Sequence, residues 1–309
     1  MSNRPIHTPL YGGIEGGGTK FICAVGLSPL DVIDTVTIPT RDARTTLAQC
    51  IEFFTSAQKR HGAMRALGFG CFGPIELSRN SEHFGRMMDT PKPGWSGVDL
   101  LEPLRSAFNI PVALDIDVGA AALAELRMGA GRDVGSLAYV TVGTGIGGAV
   151  APLGTASRLM HAEMGHLRVR RDPRDDQFEG ICPFHGDCLE GLACGPAIQA
   201  RWQCTLNQLA PAHVGWSVIG GYLGQLAAAI TLLLSVERIV FGGGVMSNNE
   251  LLPHIRHSAY RYLNGYIPML KNNESMTRHI CAPALGAAAG ITGSLLLAQA
   301  ADEAETPIG

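Results

Sequence analysis

Two glycine-rich turns of nearly the same texture recur in this chain: Gly13-Ile14-Glu15-Gly16-Gly17-Gly18-Thr19 and Val142-Gly143-Thr144-Gly145-Ile146-Gly147-Gly148. Each sits between runs that read as strands. Glycines allow positive φ and let backbone N–H groups approach an anion with no Cβ in the way, and the threonine adds a hydroxyl donor. After the first turn comes the apolar run Phe21-Ile22-Cys23-Ala24-Val25, so the chain goes strand, hairpin, strand. A dinucleotide fingerprint would open a helix, and a Walker loop would place Gly-Lys-Ser/Thr ahead of one; Lys20 instead follows Thr19. One such hairpin is commonplace. Two similar copies predict a two-lobed α/β chain that grips one nucleotide from both sides.

Composition agrees with an enzyme acting on small molecules. The chain has 309 residues, 46% hydrophobic and 17% charged, enough for two lobes with their own cores. A net charge of -3 offers no basic stripe, which argues against nucleic acid and anionic membrane surfaces as partners. The opening residues Met1 to Thr8 lack the apolar core of a signal peptide. The apolar run Leu226 to Leu234 is far shorter than the roughly 20 residues of a spanning helix, and it reads as a buried helix. Eight scattered cysteines in a chain this large read as reduced thiols, hence a cytoplasmic location.

Along the chain, Tyr11 to Ile38 reads as a hairpin with a third strand, Thr45 to His61 as a helix through Leu47, Cys50, Ile51 and Phe54, and Ala66 to Phe72 as a buried strand. The loop Thr90-Pro91-Lys92-Pro93-Gly94-Trp95 precedes a helix near Leu100 to Phe108. Pro111 to Asp117 is a strand, and Val118 to Met128 an alanine-rich helix stopped by Gly129-Ala130-Gly131. The pattern then restarts with Ser136 to Val142 and a partner strand toward Val150. Helices follow at Ala197 to Leu206, Val218 to Val236, Leu251 to Leu263 and Ala284 to Ala301, with a strand from Arg238 into Gly242-Gly243-Gly244. This alternation predicts a smaller N-terminal α/β lobe over 1–117, with a C-terminal helix over 290–309 packing back on it, and a larger α/β lobe over 118–289.

Asp117 ends a strand and opens a helix, the place where open α/β sheets put ligands. Phosphoryl transfer to an alcohol needs one carboxylate to orient the hydroxyl and accept its proton, and Asp117 is the candidate, with a helix N-cap as its plain structural role. Asp115 points to the same strand face. Cys182-Pro183-Phe184-His185-Gly186-Asp187-Cys188, with His166 upstream, supplies two thiolates and two imidazoles. With all four places filled by protein, zinc there would be structural. His161 is a rival fourth donor.

Taken in order, Glu15-Gly16-Gly17-Gly18-Thr19, Asp117 before the alanine-rich helix, Gly143 to Gly148, Glu163-Met164-Gly165-His166, the Cys/His cluster and Gly242-Gly243-Gly244-Val245-Met246 resemble the ROK family of bacterial sugar kinases, in particular its zinc-containing fructokinase branch. The resemblance covers roughly Tyr11 to Ala298. It implies a two-lobed actin-like ATPase (ribonuclease H-like) fold with an active-site cleft between lobes, ATP with magnesium, phosphorylation of a hexose at its 6-hydroxyl, and a homodimer. By the same resemblance Asp117 is the general base. Gly16, Gly17, Gly18 and Thr19 line one side of the ATP phosphates, and Thr144, Gly145 and Gly147 the other. Gly242, Gly243, Gly244 and Pro196 approach the adenosine. Glu163 and His166 meet the sugar, His166 also binding zinc with Cys182, His185 and Cys188, and Trp95 covers the sugar.

Ile116 and Gly119 stand where relatives tend to carry polar residues beside the catalytic aspartate, so hydrogen bonds to the sugar are expected to be missing and mannose and glucose stay open as substrates. GTP is a second candidate donor. A sugar-responsive regulator of the same family would carry a helix-turn-helix ahead of the first strand, where this sequence has about ten residues. An actin-type chaperone ATPase would hydrolyse ATP without regard to sugar.

Overall fold

The computed structural model describes residues 9–152 and 160–305. Met1 to Thr8, on which the expectation about a signal peptide rests, lie outside the described residues, as do the last four residues of the expected C-terminal helix. In chain order the elements are β1 (Leu10–Gly16), β2 (Lys20–Ser28), β3 (Asp31–Pro39), α1 (Ala43–His61), β4 (Met64–Cys71), α2 (Glu102–Phe108), β5 (Val112–Ile116), α3 (Asp117–Met128), β6 (Leu137–Val142) and β7 (Ile146–Ala151). They continue with α4 (Leu189–Ala193), α5 (Gly195–Trp202), α6 (Val214–Leu234), β8 (Arg238–Gly242), α7 (Leu252–Leu263), α8 (Asn273–His279), β9 (Ile280–Cys281) and α9 (Ala289–Glu305). The chain forms two compact units of similar size. The first holds residues up to Ala124, a short segment ending at His161, and the chain from Ala287 onward; the second holds the rest.

In the first unit the sheet runs β3-β2-β1-β4-β5, with β2 antiparallel to both β1 and β3, β4 parallel to β1, and β5 parallel to β4. Alternation along β1 shows why its glycines are needed. A Cβ on Gly12 would meet Met64 and Phe54 of the α1 side, and one on Gly13 would meet Leu295 of α9 on the other face. Small residues also let α9 press onto β4: a Cβ at Gly68 would lie 1.8 Å from the Ser294 carbonyl. Asp42 caps α1, accepting a hydrogen bond from Thr45 N–H at 2.9 Å.

The chain leaves the first unit inside α3, after Ala124, rather than at the expected break after Asp117. The cause is packing: Ala120 fits against Gly70 of β4, and its carbonyl would sit 1.9 Å from a Cβ on Gly293 of α9. The opening turns of α3 are thus held by the sheet that precedes them.

The second unit repeats the scheme with order β7-β6-β8-β9, β6 and β7 antiparallel and the others parallel. Its core helix is α6, which is longer than the apolar run in the sequence suggests. Its 21 residues are apolar enough to span a membrane by length and composition, yet 61% of the most apolar window is buried within the protein. Gly220 and Gly224 admit His254 and Ser258 of α7 to close contact, which a Cβ would block at 2.3 and 2.4 Å. Below α6, Asp175 pairs with Arg201 at 2.7 Å and accepts the Tyr222 hydroxyl at 2.8 Å, with the guanidinium also over the Phe178 ring.

Candidate active site

In the first unit three strand ends come into register: Gly16 of β1 lies opposite Cys71 of β4, which lies opposite Ile116 of β5. The first glycine turn and Asp117 therefore leave the same edge of one sheet, two strand spacings or roughly 10 Å apart. Asp117 is the first residue of α3, and its Oδ1 accepts from Val118 N–H at 2.8 Å. Burial pushes its carboxyl above the ordinary range, an effect that the hydrogen bond from Val118 N–H and then the nearby His161 partly offset. Glu15 stands beside it. Burial first, then the charge of Asp117, push the Glu15 carboxyl up to about 7, and its Oε2 is buried without a hydrogen-bond partner among the described residues.

The turn itself is a hairpin closed by Gly17 N–H to the Lys20 carbonyl at 2.9 Å. Gly16 is packed, since a Cβ would come 2.8 Å from Phe21, whereas nothing lies within 4 Å of the corresponding point on Gly18. Gly18 and Thr19 are exposed at its tip.

Trp95 is wholly buried, its ring against Phe21 and Phe72 and its indole N–H on the Arg41 carbonyl at 2.7 Å. Any effect on a sugar passes through the loop it anchors. Ile116 is buried as well. The space beside Gly119 is not open: the Asp115 carboxylate fills it, within 2.6 to 2.7 Å of where a Cβ would stand. Asp115 is thus a buried polar group in the position that the sequence alone leaves apolar.

In the second unit the turn Gly143-Thr144-Gly145 joins β6 to β7, with Gly143 N–H on the Gly145 carbonyl at 2.9 Å and Thr144 exposed at its tip. Gly195 N–H, at the start of α5, reaches the Gly143 carbonyl at 2.7 Å. Beside it lies a groove of about 290 Å³ lined by Thr144, Pro196, Leu206, Asn207, Gly244 and Val245 among others. Of the other predicted glycines, Gly147 lies within β7 opposite Thr141, Gly242 is packed under the Tyr139 hydroxyl, and Gly243 has φ +92 against Val142. Leu206 and Asn207 were not legible as lining residues, because the loop after α5 carries no motif.

Glu163-Met164-Gly165-His166 forms a single 3-10 turn. It presses onto the start of β7, where a Cβ at Gly165 would lie 2.0 Å from the Ile146 carbonyl. Glu163 is exposed on this turn. Glu190, which no motif reading singled out, accepts from Ile146 N–H at 2.9 Å and underlies Gly145, where a Cβ would come within 2.6 Å of its carboxylate. Its place two residues after Cys188 was the available signal.

The Cys/His loop closes tightly: Gly186 N–H donates to the Cys182 carbonyl at 2.8 Å and Gly186 takes φ +64. His166, Cys182, His185 and Cys188 offer four donor atoms all within 4.8 Å of one another. Cys182 Sγ is 3.7 Å from both His166 Nδ1 and His185 Nδ1, and Cys188 Sγ is 3.6 Å from His166 Nδ1. Tetrahedral zinc with ordinary Zn–S and Zn–N lengths demands S···N edges of about 3.6 Å, so the donor set fits that ion. His161 is elsewhere, in the first unit, its Nε2 accepting from Ile75 N–H at 3.3 Å. Because His166 turns Nδ1 to the thiols, Nε2 lies on the opposite edge of the ring.

Two sheets that each begin with a glycine-turn hairpin and add parallel strands define the class of actin-like ATPases. The ROK family model matches residues 11–301, and the chain belongs to that family. It is 38% identical to a putative fructokinase of Bacillus subtilis, over 97% of this chain and 99% of that one. It is 40% identical to a fructokinase of Zymomonas mobilis, over 95% of this chain and 97% of that one. Among solved structures it resembles the ROK hexokinase of Thermus thermophilus with a TM-score of 0.74 and 26% identity, over 94% of this chain and 98% of that one.

Proposed function

We propose that the protein is an ATP-dependent hexose 6-kinase whose sugar is fructose. The single observation that supports the chemistry is the shared sheet edge of Gly16, Cys71 and Ile116, from which both the first glycine turn and Asp117 leave. Fructokinase relatives at 36 to 40% identity support the sugar, while the glucokinases are more distant at 24 to 26%.

In this reading Asp117 accepts the proton of the sugar 6-hydroxyl as that oxygen bonds to the γ-phosphorus of ATP and the bond to the β-phosphate oxygen breaks, releasing ADP. Burial raises its pKa, which makes it a stronger base than an exposed aspartate. Gly16 to Thr19 and the Thr144-Gly145 turn hold phosphates through backbone N–H groups, and the groove beside Pro196 takes the adenosine. Magnesium bound with ATP would supply charge neutralisation, and the orphaned Glu15 Oε2 is the protein atom suited to it or to its water shell. His166, Cys182, His185 and Cys188 would hold zinc, which would tie the 182–188 loop to His166. A metal on Nδ1 leaves the Nε2–H of His166 to donate to a sugar hydroxyl, with Glu163 as the acceptor beside it.

The family resemblance further suggests a homodimer in the cytoplasm, which sedimentation and fractionation would test. The reading itself is tested by ADP release at fixed ATP-magnesium over a panel of hexoses. Fructose should give the highest rate per unit concentration. ADP release that no hexose raises would overturn it.

A further inference from the structure

Lys92 lies in the loop between β4 and α2, far from any motif for phosphate. That loop is fixed without it: Trp95 is buried between Phe21 and Phe72 with its indole N–H on Arg41, and Gly94 accepts from Ala43 N–H at 3.3 Å. From this rigid base the Lys92 ammonium reaches 74 residues back in sequence to the Gly18 carbonyl, at 2.5 Å. One exposed bond of this kind contributes little to stability, so holding the loop is a weak reason for a lysine there. Among the described residues no carboxylate pairs with it, and an ammonium has three protons of which the carbonyl takes one.

We infer that Lys92 is a further catalytic residue, contacting the phosphoryl group that is transferred. The inference rests on the kinase reading above and deepens it. Gly18 is the open point of the first turn, with no atom within 4 Å of its would-be Cβ, so an anion seated on the turn meets the ammonium directly. The turn leaves the same sheet edge as Asp117, and the base has to stand at the transferred phosphorus. The phosphate on this turn is therefore the γ-group rather than the α. Charge on its oxygens grows as the bond to ADP breaks, and a fixed cation there stabilises the transition state more than the ground state. Lysine suits the task as a compact point charge.

The test separates ligands that carry the transferred phosphoryl from those that lack it. Binding of the β,γ-imido analogue of ATP, of fructose 6-phosphate, of ADP and of fructose is measured by calorimetry on wild type, Lys92→Met and Lys92→Arg, with magnesium fixed. The Met variant should bind the first two on the order of ten-fold more weakly, the equivalent of one charge-assisted hydrogen bond, with ADP and fructose unchanged. The Arg variant should recover part of the loss. Equal weakening of all four ligands, or of none, overturns the inference. A wild-type protein that transfers no phosphoryl to fructose overturns the kinase reading instead, and the pairwise comparison of the analogue with ADP still decides the anion site.

Discussion

Asp117 opposes the ionisation of Glu15: both carboxyls are enclosed, and the charge of Asp117 adds to burial in raising Glu15 to about 7. Lys20 beside Glu15 and His161 beside Asp117 offset the effect only in part, and a pair of buried acids destabilises the folded chain wherever both are charged.

Stability without ligands should accordingly fall as pH rises. The ordinary value for Glu15 is 4.5 and the folded one about 7, so between these the folded state holds more protons than the unfolded one. Its contribution is present in full below 4.5 and lost as pH passes 7, amounting to on the order of 3 kcal/mol. Asp117 shifts the same way and adds to the slope. Thermal midpoints of magnesium-free and nucleotide-free protein should drop from pH 5 to pH 8, and Glu15→Gln should remove most of that drop. An unchanged pH profile in the variant would contradict the account.

Asp117→Asn keeps the size of the side chain and removes its ability to take a proton. The expected loss in kcat is about 10²- to 10⁴-fold, the usual contribution of a positioned base, with KM for ATP nearly unchanged. Steady-state kinetics with fructose reads it directly, and near wild-type turnover would remove Asp117 from the role of base. The acid limb of kcat/KM in the wild type should lie above the ordinary aspartate range, since burial raises this group.

How much of this was legible without coordinates differs between the parts. The hairpin starts, the strand into Asp117 and the Cys/His loop all have local signatures, because backbone conformation there depends on glycines and short spacings. Gly119 misled for the same reason: nothing local says that the Asp115 carboxylate folds back over it. Trp95 has loop character in sequence but is buried by Phe21 and Phe72, which arrive from other elements. Glu190, Leu206 and Asn207 became visible only once β7 and α5 were placed. Long-range packing is the part a one-dimensional reading lacks.

The buried Asp175–Arg201 pair makes a separate stability test in the second unit. Both side chains are nearly inaccessible; the Tyr222 hydroxyl donates to Asp175 and Arg201 donates to the Leu192 carbonyl, while Arg201 Nη1 is buried without a hydrogen-bond partner among the described residues. Asp175→Ala would leave a buried guanidinium without its counter-charge, at a cost of about 3 to 5 kcal/mol. Denaturant unfolding should show a lowered midpoint with fructose KM unchanged in the folded fraction. A loss under 1 kcal/mol would mean that the guanidinium finds other partners.

Removing the metal should act on the sugar before it acts on the nucleotide. The four donors link His166 to the loop 182–188, so a bound metal would fix the ring of His166 against that loop. Chelation, or Cys188→Ser, should release one zinc per chain by elemental analysis and raise KM for fructose by roughly 10- to 100-fold, the range seen when a supporting shell is lost. KM for ATP should change less, because Thr144 and the groove beside Pro196 are held by β6, β7 and α5. Some loosening of the Gly145 turn is expected all the same, since Glu190 follows Cys188 by two residues and bonds Ile146 N–H. Zinc-free protein with wild-type KM for fructose would show that the metal loop does not shape the sugar site.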